Sequence, residues 1–127
     1  MTIERFPSMD AASKDGPPYA KAVRANGFVF VSGQVGVNQE GRLVQGGIAA
    51  ETRQTVENIR TVLQSAGLDL EHVVKATAWL IDASDYDAFN AVYREYFGAA
   101  LPARACVCAE LMGPFRVEIE AVAAIKA

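Results

Sequence analysis

Pro102-Ala103-Arg104-Ala105-Cys106-Val107-Cys108, answered by Arg116-Val117-Glu118-Ile119-Glu120-Ala121-Val122, decides how this chain is read. Side chains alternate faces along a strand, and both stretches alternate. In the first, Arg104, Cys106 and Cys108 share one face and Ala105, Val107 and Ala109 the other. In the second, Glu118 and Glu120 share a face, opposite Val117, Ile119 and Ala121. Gly113-Pro114 between them is a turn signal. The simplest arrangement is two neighbouring strands with their charged faces on the same side, one arginine and two carboxylates over one sheet surface.

Working back from there, Ser84-Asp85-Tyr86-Asp87 resembles a capping box. It opens a helix with Phe89, Val92, Tyr93, Tyr96 and Phe97 inward, ending at Gly98. Val73–Ile81 is rich in Val, Thr and Trp and predicts a strand. Ile48, Thr52, Val56, Ile59, Leu63 and Ala66 recur at helical spacing, with Glu51, Arg53, Glu57 and Arg60 off that face and Gly67 as the C-cap. Val35–Leu43 reads as loop with at most a short strand. Phe28–Gly33 is apolar on both faces, a central strand, and Asn26-Gly27 turns it back on a strand over Ala20–Arg24. Residues 1–18, with Pro7, Gly16, Pro17 and Pro18, read as an irregular lead-in.

The order β-β-(β)-α-β-α-β-β predicts a single α+β domain over residues 1–127, one sheet with two helices on one face. Two helices cover one face only. The other would carry Cys106, Cys108, Val122, Ala124 and part of the Phe28–Val31 strand, too apolar to stay wet, so symmetric self-association is expected.

The chain has 127 residues, 51% hydrophobic and 21% charged, with a formal net charge of −3. That balance fits a folded domain and offers no basic stripe for nucleic acid. There is no secretory signal pattern and no apolar run of membrane-spanning length, so a cytoplasmic protein without membrane contact is expected. Cys106 and Cys108 sit too awkwardly on one strand face for a disulfide. With His72 as the sole histidine they make no zinc site, and no metal is expected.

The planar fork of Arg104 suits a carboxylate ligand, and its plain alternative is an ion pair with Glu118 or Glu120. A carboxylate in a pocket can hold water as a general base, and two acids at i and i+2 repel, so one keeps a proton or binds Arg104. Ser32-Gly33 at a strand end lacks the context of a hydrolase nucleophile, and Gly46-Gly47 lacks that of a phosphate loop. His72 reads as a surface residue. The residues alone point to a small carboxylate ligand in a cleft between subunits, without a cofactor.

Gly16-Pro17-Pro18-Tyr19, Phe30-Val31-Ser32-Gly33-Gln34, Thr52–Asn58, Val73–Thr77, Phe89-Asn90-Ala91-Val92-Tyr93, Pro102–Val107 and Val117–Ala121 run in an order that covers nearly the whole chain. In these the chain resembles the YjgF/RidA family, the reactive intermediate/imine deaminases, also labelled endoribonuclease L-PSP. The resemblance implies a chorismate-mutase-like fold of the bacillus type and a homotrimer, sheets inward, with clefts between subunits. It implies cofactor-free hydrolysis of 2-imino acids such as 2-iminobutanoate or 2-iminopropanoate to 2-oxo acids and ammonia. Residue by residue, it places the substrate carboxylate on Arg104, the catalytic water on Glu118 and the imine nitrogen at the backbone carbonyl of Cys106. Tyr19, Ser32, Gly33 and Asn90 complete the implied pocket. The extra Pro18 and the altered Leu111–Phe115 turn depart from the family pattern. A small-carboxylate-binding regulatory module without turnover, and a deaminase for a larger substrate of the 2-aminomuconate type, remain open beside that reading. Ribonuclease action is disfavoured by the acidic balance.

Overall fold

The structure, a computed structural model, describes residues 2–6 and 16–125. Strands β1 (Glu4–Phe6), β2 (Ala22–Ala25) and β3 (Phe28–Val35) precede helix α1 (Gly47–Ser65). Strand β4 (Val73–Leu80), helix α2 (Tyr86–Phe97), β5 (Ala103–Cys108) and β6 (Val117–Ala124) follow. The six strands form one mixed sheet in the order β1-β2-β3-β6-β4-β5. Only β4 and β5 run parallel, as a strand–helix–strand crossover through α2 requires.

Turn chemistry sets the first hairpin and the first helix end. Asn26 and Gly27 both take positive φ (53° and 81°), the paired left-handed residues of a tight hairpin, and join β2 to β3. Gly67, at φ 79°, ends α1: its N–H bonds Gln64 O and the next N–H, of Leu68, reaches back to Leu63 O. Those two bonds form a Schellman motif and satisfy carbonyls the helix leaves free.

The helices cover one sheet face. Val29, Val31, Ala76, Ala78, Leu80, Val117, Ile119, Ala121 and Ala123 alternate inward against Val56, Ile59, Leu63, Phe89 and Phe97, all buried. The opposite face is bare in the protomer, with Phe28 39% and Phe30 46% exposed.

Several expectations are corrected. β5 and β6 are not neighbours: β4 lies between them and pairs with both. Nor do their charged faces agree. Arg104, Cys106 and Cys108 stand opposite Ala76, Ala78 and Leu80, so they share the helix side of the sheet. Glu118 and Glu120 stand opposite Trp79 and Thr77, on the open side. An ion pair of Arg104 with either glutamate within one protomer is thereby excluded, and both cysteines leave the open face. The physical reason is the crossover: α2 must place β5 parallel to β4, and β6 then fills the remaining side of β4.

The supposed lead-in contains β1, which adds an edge strand to β2; the part of that segment at residues 7–15 lies outside the described residues. The capping box at Ser84 is absent. Asp82 caps a 3-10 turn over Ala83–Asp85 instead, accepting from Ser84 N–H and Oγ–H, and α2 starts at Tyr86. His72 is half-buried and caps a second 3-10 turn, its Nδ1 accepting from Asp69 N–H at 3.0 Å. Glu51, placed off the apolar face by its charge, is 3% exposed.

Candidate functional site

Arg104 is built into a cage on the helix side of β5. Helical spacing puts Tyr86 and Asn90 on one line of α2 and Phe89 and Tyr93 on the next. The guanidinium reaches across to them. Nη1 donates to Asn90 Oδ1 at 2.9 Å and Nη2 to Tyr86 Oη at 3.1 Å. Its central carbon lies 4.8 Å from the ring centre of Tyr93, 5.4 Å from Phe89 and 5.8 Å from Tyr86, within cation–π range. The partners are neutral oxygens and ring faces. No carboxylate pairs with Arg104 among the described residues. Two of five donors are engaged, which leaves a fixed cation with N–H groups for an anion. A cavity of about 270 Å³ opens beside it, bounded by Tyr86, Asn90, Tyr93, Leu101 and Arg104.

Tyr93 is buried, and its hydroxyl has no hydrogen-bond partner among the described residues. Burial pushes it up to about 12, Arg104 opposes the rise, and Cys106 adds slightly. It stays a neutral phenol beside the cation.

Cys106 follows two residues on. Burial raises its thiol pKa, the Arg104 charge draws it down, and Cys108 raises it further. The net rise leaves a protonated thiol rather than a nucleophile. Its backbone is another matter. Ala109 N–H donates to Leu80 O, so by alternation Ala103, Ala105 and Val107 give their backbone groups to β4. The N–H and C=O of Arg104, Cys106 and Cys108 therefore point outward from the free edge of the sheet.

A second group of residues lies on β3 and β6. The β3–β6 register shifts between Val31 and Gln34, bulging the chain at Ser32-Gly33. Ser32 is pinned there: its N–H bonds Lys21 O at 2.9 Å and its Oγ–H bonds Ala20 O at 2.6 Å. The Glu118 side chain lies over Gly33. A Cβ at Gly33 would overlap Glu118 Oε2 and stand 3.0 Å from its carboxyl carbon, so glycine is needed for the carboxylate to lie there. Burial raises the Glu118 pKa, and the charge of Glu120 raises it further. Tyr19, half exposed, lines a groove of about 590 Å³ with Gly33, Gln34 and Asn58.

The expected site residues thus form two separate groups. Arg104, Asn90 and Cys106 meet at the β5 edge. Glu118, Ser32 and Gly33 meet at the β3 bulge, with Tyr19 at its margin. Strand β4 separates the two, and they belong to opposite faces. The sequence reading missed Tyr86, whose spacing of four from Asn90 was the available signal.

Arg116 was also missed as a structural partner. Its N–H donates to Glu51 Oε1 at 2.9 Å and its Nε lies 3.6 Å from Oε2. This contact anchors the start of β6, two residues before Glu118. No three or more His, Cys, Asp or Glu side chains cluster for a metal among the described residues.

Fold and site describe a small α+β domain with a caged arginine at a sheet edge and a half-buried carboxylate at a bulge. The sequence profile of Endoribonuclease L-PSP matches residues 10–125. The 2-iminobutanoate/2-iminopropanoate deaminase of Mus musculus is 43% identical over 108 residues, 84% of this chain and 80% of the relative. A RutC family protein of Pyrococcus horikoshii is 41% identical over 114 residues, 88% of this chain and 90% of the relative. Among solved structures, a putative endoribonuclease of Thermotoga maritima superimposes with a TM-score of 0.88 at 36% identity, over 98% of this chain and 99% of the other. A YjgF-family protein of Neisseria meningitidis gives 0.83 at 35% identity, over 100% and 98%. This chain belongs to the YjgF/RidA (endoribonuclease L-PSP) family.

Proposed function

We propose that this protein hydrolyses 2-imino acids to 2-oxo acids and ammonia, in clefts between the subunits of a homotrimer with the chorismate-mutase-like arrangement. The observation that carries the reading is Arg104, a cation held in place by neutral groups with no carboxylate partner among the described residues. Relatives at about 43% identity that carry the deaminase name support it. The bare sheet face, with Phe28 and Phe30 exposed, supports self-association. Because Arg104 and Glu118 occupy opposite faces, one cleft takes Arg104, Asn90 and Cys106 from one subunit. It takes Tyr19, Ser32, Gly33 and Glu118 from the next.

The chemistry then needs little. Arg104 binds the substrate carboxylate through its unengaged N–H groups and fixes C2. The outward carbonyl of Cys106 accepts from the imine N–H. Glu118, its pKa raised by burial, is a base of useful strength and takes a proton from water as the oxygen attacks C2. The C=N π pair goes to nitrogen, which takes that proton back from Glu118 and gives a carbinolamine. Collapse of the carbinolamine expels ammonia, and the 2-oxo acid remains. One water is consumed and no redox change occurs. The unpaired thiols fit a reducing, cytoplasmic setting.

The test couples a pyridoxal-phosphate threonine dehydratase to this protein and follows 2-oxobutanoate release. Accelerated release over the spontaneous rate is expected. Binding of 2-oxobutanoate without acceleration would replace the enzyme by a carboxylate-binding module.

A further inference from the structure

A second, apolar cavity adjoins the Arg104 cage. It measures about 280 Å³ and is walled by Leu80, Ala83, Tyr86, Cys106, Val107 and Cys108. Tyr86 is shared: it bounds this cavity and the one beside Arg104, and its hydroxyl holds the guanidinium. Cys106, in the wall of this cavity, follows Arg104 on the same strand face, and residues two apart on one face are spaced by roughly 6.6 Å. That is about the span from an amino-acid carboxylate to the middle of a side chain of several carbons. The walls are hydrocarbon, sulfur and one ring edge, with no charged side chain among them. A water-filled cavity of that lining gains free energy when an apolar group displaces the water.

We propose that this cavity is the side-chain subsite of the substrate, and that the protein prefers 2-imino acids with branched or aromatic apolar side chains over those with one-carbon or two-carbon side chains. The inference rests on the deaminase reading for its substrate class. The carboxylate on Arg104 and C2 at the edge of Cys106 direct the C2 substituent toward Cys108, Leu80 and Ala83. Placing apolar groups in a fitted pocket discriminates by about 10–200-fold per methylene-sized difference. The open mouth of this cavity argues for the low end of that range.

The experiment generates imino acids in place with an L-amino-acid oxidase, from alanine and from leucine, and measures their loss by competition with semicarbazide. In parallel, calorimetry measures binding of pyruvate and of 4-methyl-2-oxopentanoate, the matching products. For the unaltered protein, kcat/KM is expected to be at least about tenfold higher for the leucine-derived imine, with the longer oxo acid binding tighter in proportion. Ala83→Phe, which fills the cavity from an exposed turn, is expected to lower the leucine-to-alanine ratio at least about tenfold in both measurements. Equal kcat/KM values for the two imines, or an unchanged ratio in Ala83→Phe, would overturn the subsite. If Ala83→Phe instead dissociates the assembly and leaves the ratio alone, a neighbouring subunit fills the cavity and the subsite is wrong. No turnover of either imine, with the binding preference and its loss intact, would sink the deaminase reading and leave the subsite standing.

Discussion

Arg104 and Glu118 carry opposite kinds of prediction. Arg104 is held by hydrogen bonds to Asn90 and Tyr86 that contribute little to the core, so Arg104→Ala is expected to fold. It is expected to lose at least about 100-fold in kcat/KM, from two charge-assisted hydrogen bonds to the proposed substrate carboxylate of about 1.5–3 kcal/mol each. Arg104→Lys restores little, since an ammonium cannot meet Asn90, Tyr86 and a carboxylate together. Steady-state kinetics with circular dichroism on both variants checks this, and wild-type turnover by Arg104→Ala would refute the carboxylate role.

Glu118 works against stability. Its folded pKa is raised above the ordinary 4.5, so folding favours its protonated form. That contribution is full below the unfolded pKa and is lost as pH rises through the folded pKa. At neutral pH the half-buried charge is a cost, and Glu118→Gln is expected to raise Tm there, but not at pH 3, while losing about 10²–10⁴-fold in rate. Wild-type kcat/KM is expected to fall on the acid side as Glu118 protonates, at a pH above the ordinary 4.5, which a pH–rate profile checks. Cys106→Ser is expected to stay within about tenfold of wild type, because the proposed mechanism uses the backbone carbonyl and not the thiol. A dead Cys106→Ser beside an active Glu118→Gln would replace the water mechanism by a covalent one.

Among the elements, legibility followed periodicity. Both helices were readable because their buried faces recur at three and four, and β3 to β6 because they alternate or run apolar. The neighbours of β5 were not readable. Local alternation states which residues share a face of one strand; it carries no information on which strand lies beside it. The faces of Arg104 and Glu118 were therefore assigned together when the crossover through α2 sets them apart. The residues implied for the site were found by motif resemblance, but their division into two groups needed the sheet register.

Glu51 shows the other limit. A charge on a helix reads as solvent-facing unless its partner is known, and Arg116 is far along the chain. Glu51→Ala leaves the Arg116 N–H without its acceptor and is expected to cost about 1–3 kcal/mol. Glu51→Gln keeps an acceptor oxygen and is expected to cost less than half as much. Urea unfolding of the two variants separates them; equal losses would mean that charge, rather than the hydrogen bond, anchors β6.

The whole molecule supplies the strictest test, because a cleft shared between subunits behaves differently from a site within one. In a ring of three, each cleft would pair Arg104 of one subunit with Glu118 of the next, through a repeated head-to-tail contact. In such a ring, Arg104→Ala and Glu118→Gln chains assembled separately would each lack one member in every cleft. If the two are unfolded together and refolded at equal concentration, subunits assort at random. A cleft is intact when its Arg104 side comes from the Glu118→Gln chain and its Glu118 side from the Arg104→Ala chain. Random assortment gives that combination in about one cleft in four. Mixed refolding is therefore expected to recover roughly a quarter of wild-type turnover from two nearly inactive parents. Clefts that join the same two altered chains the other way round lack both groups and add nothing. Sedimentation of the mixture should show trimers throughout. If both residues served one site within a protomer, every chain would stay broken and mixing would restore nothing. A stable monomer at micromolar concentration would end the shared-cleft reading without any kinetics.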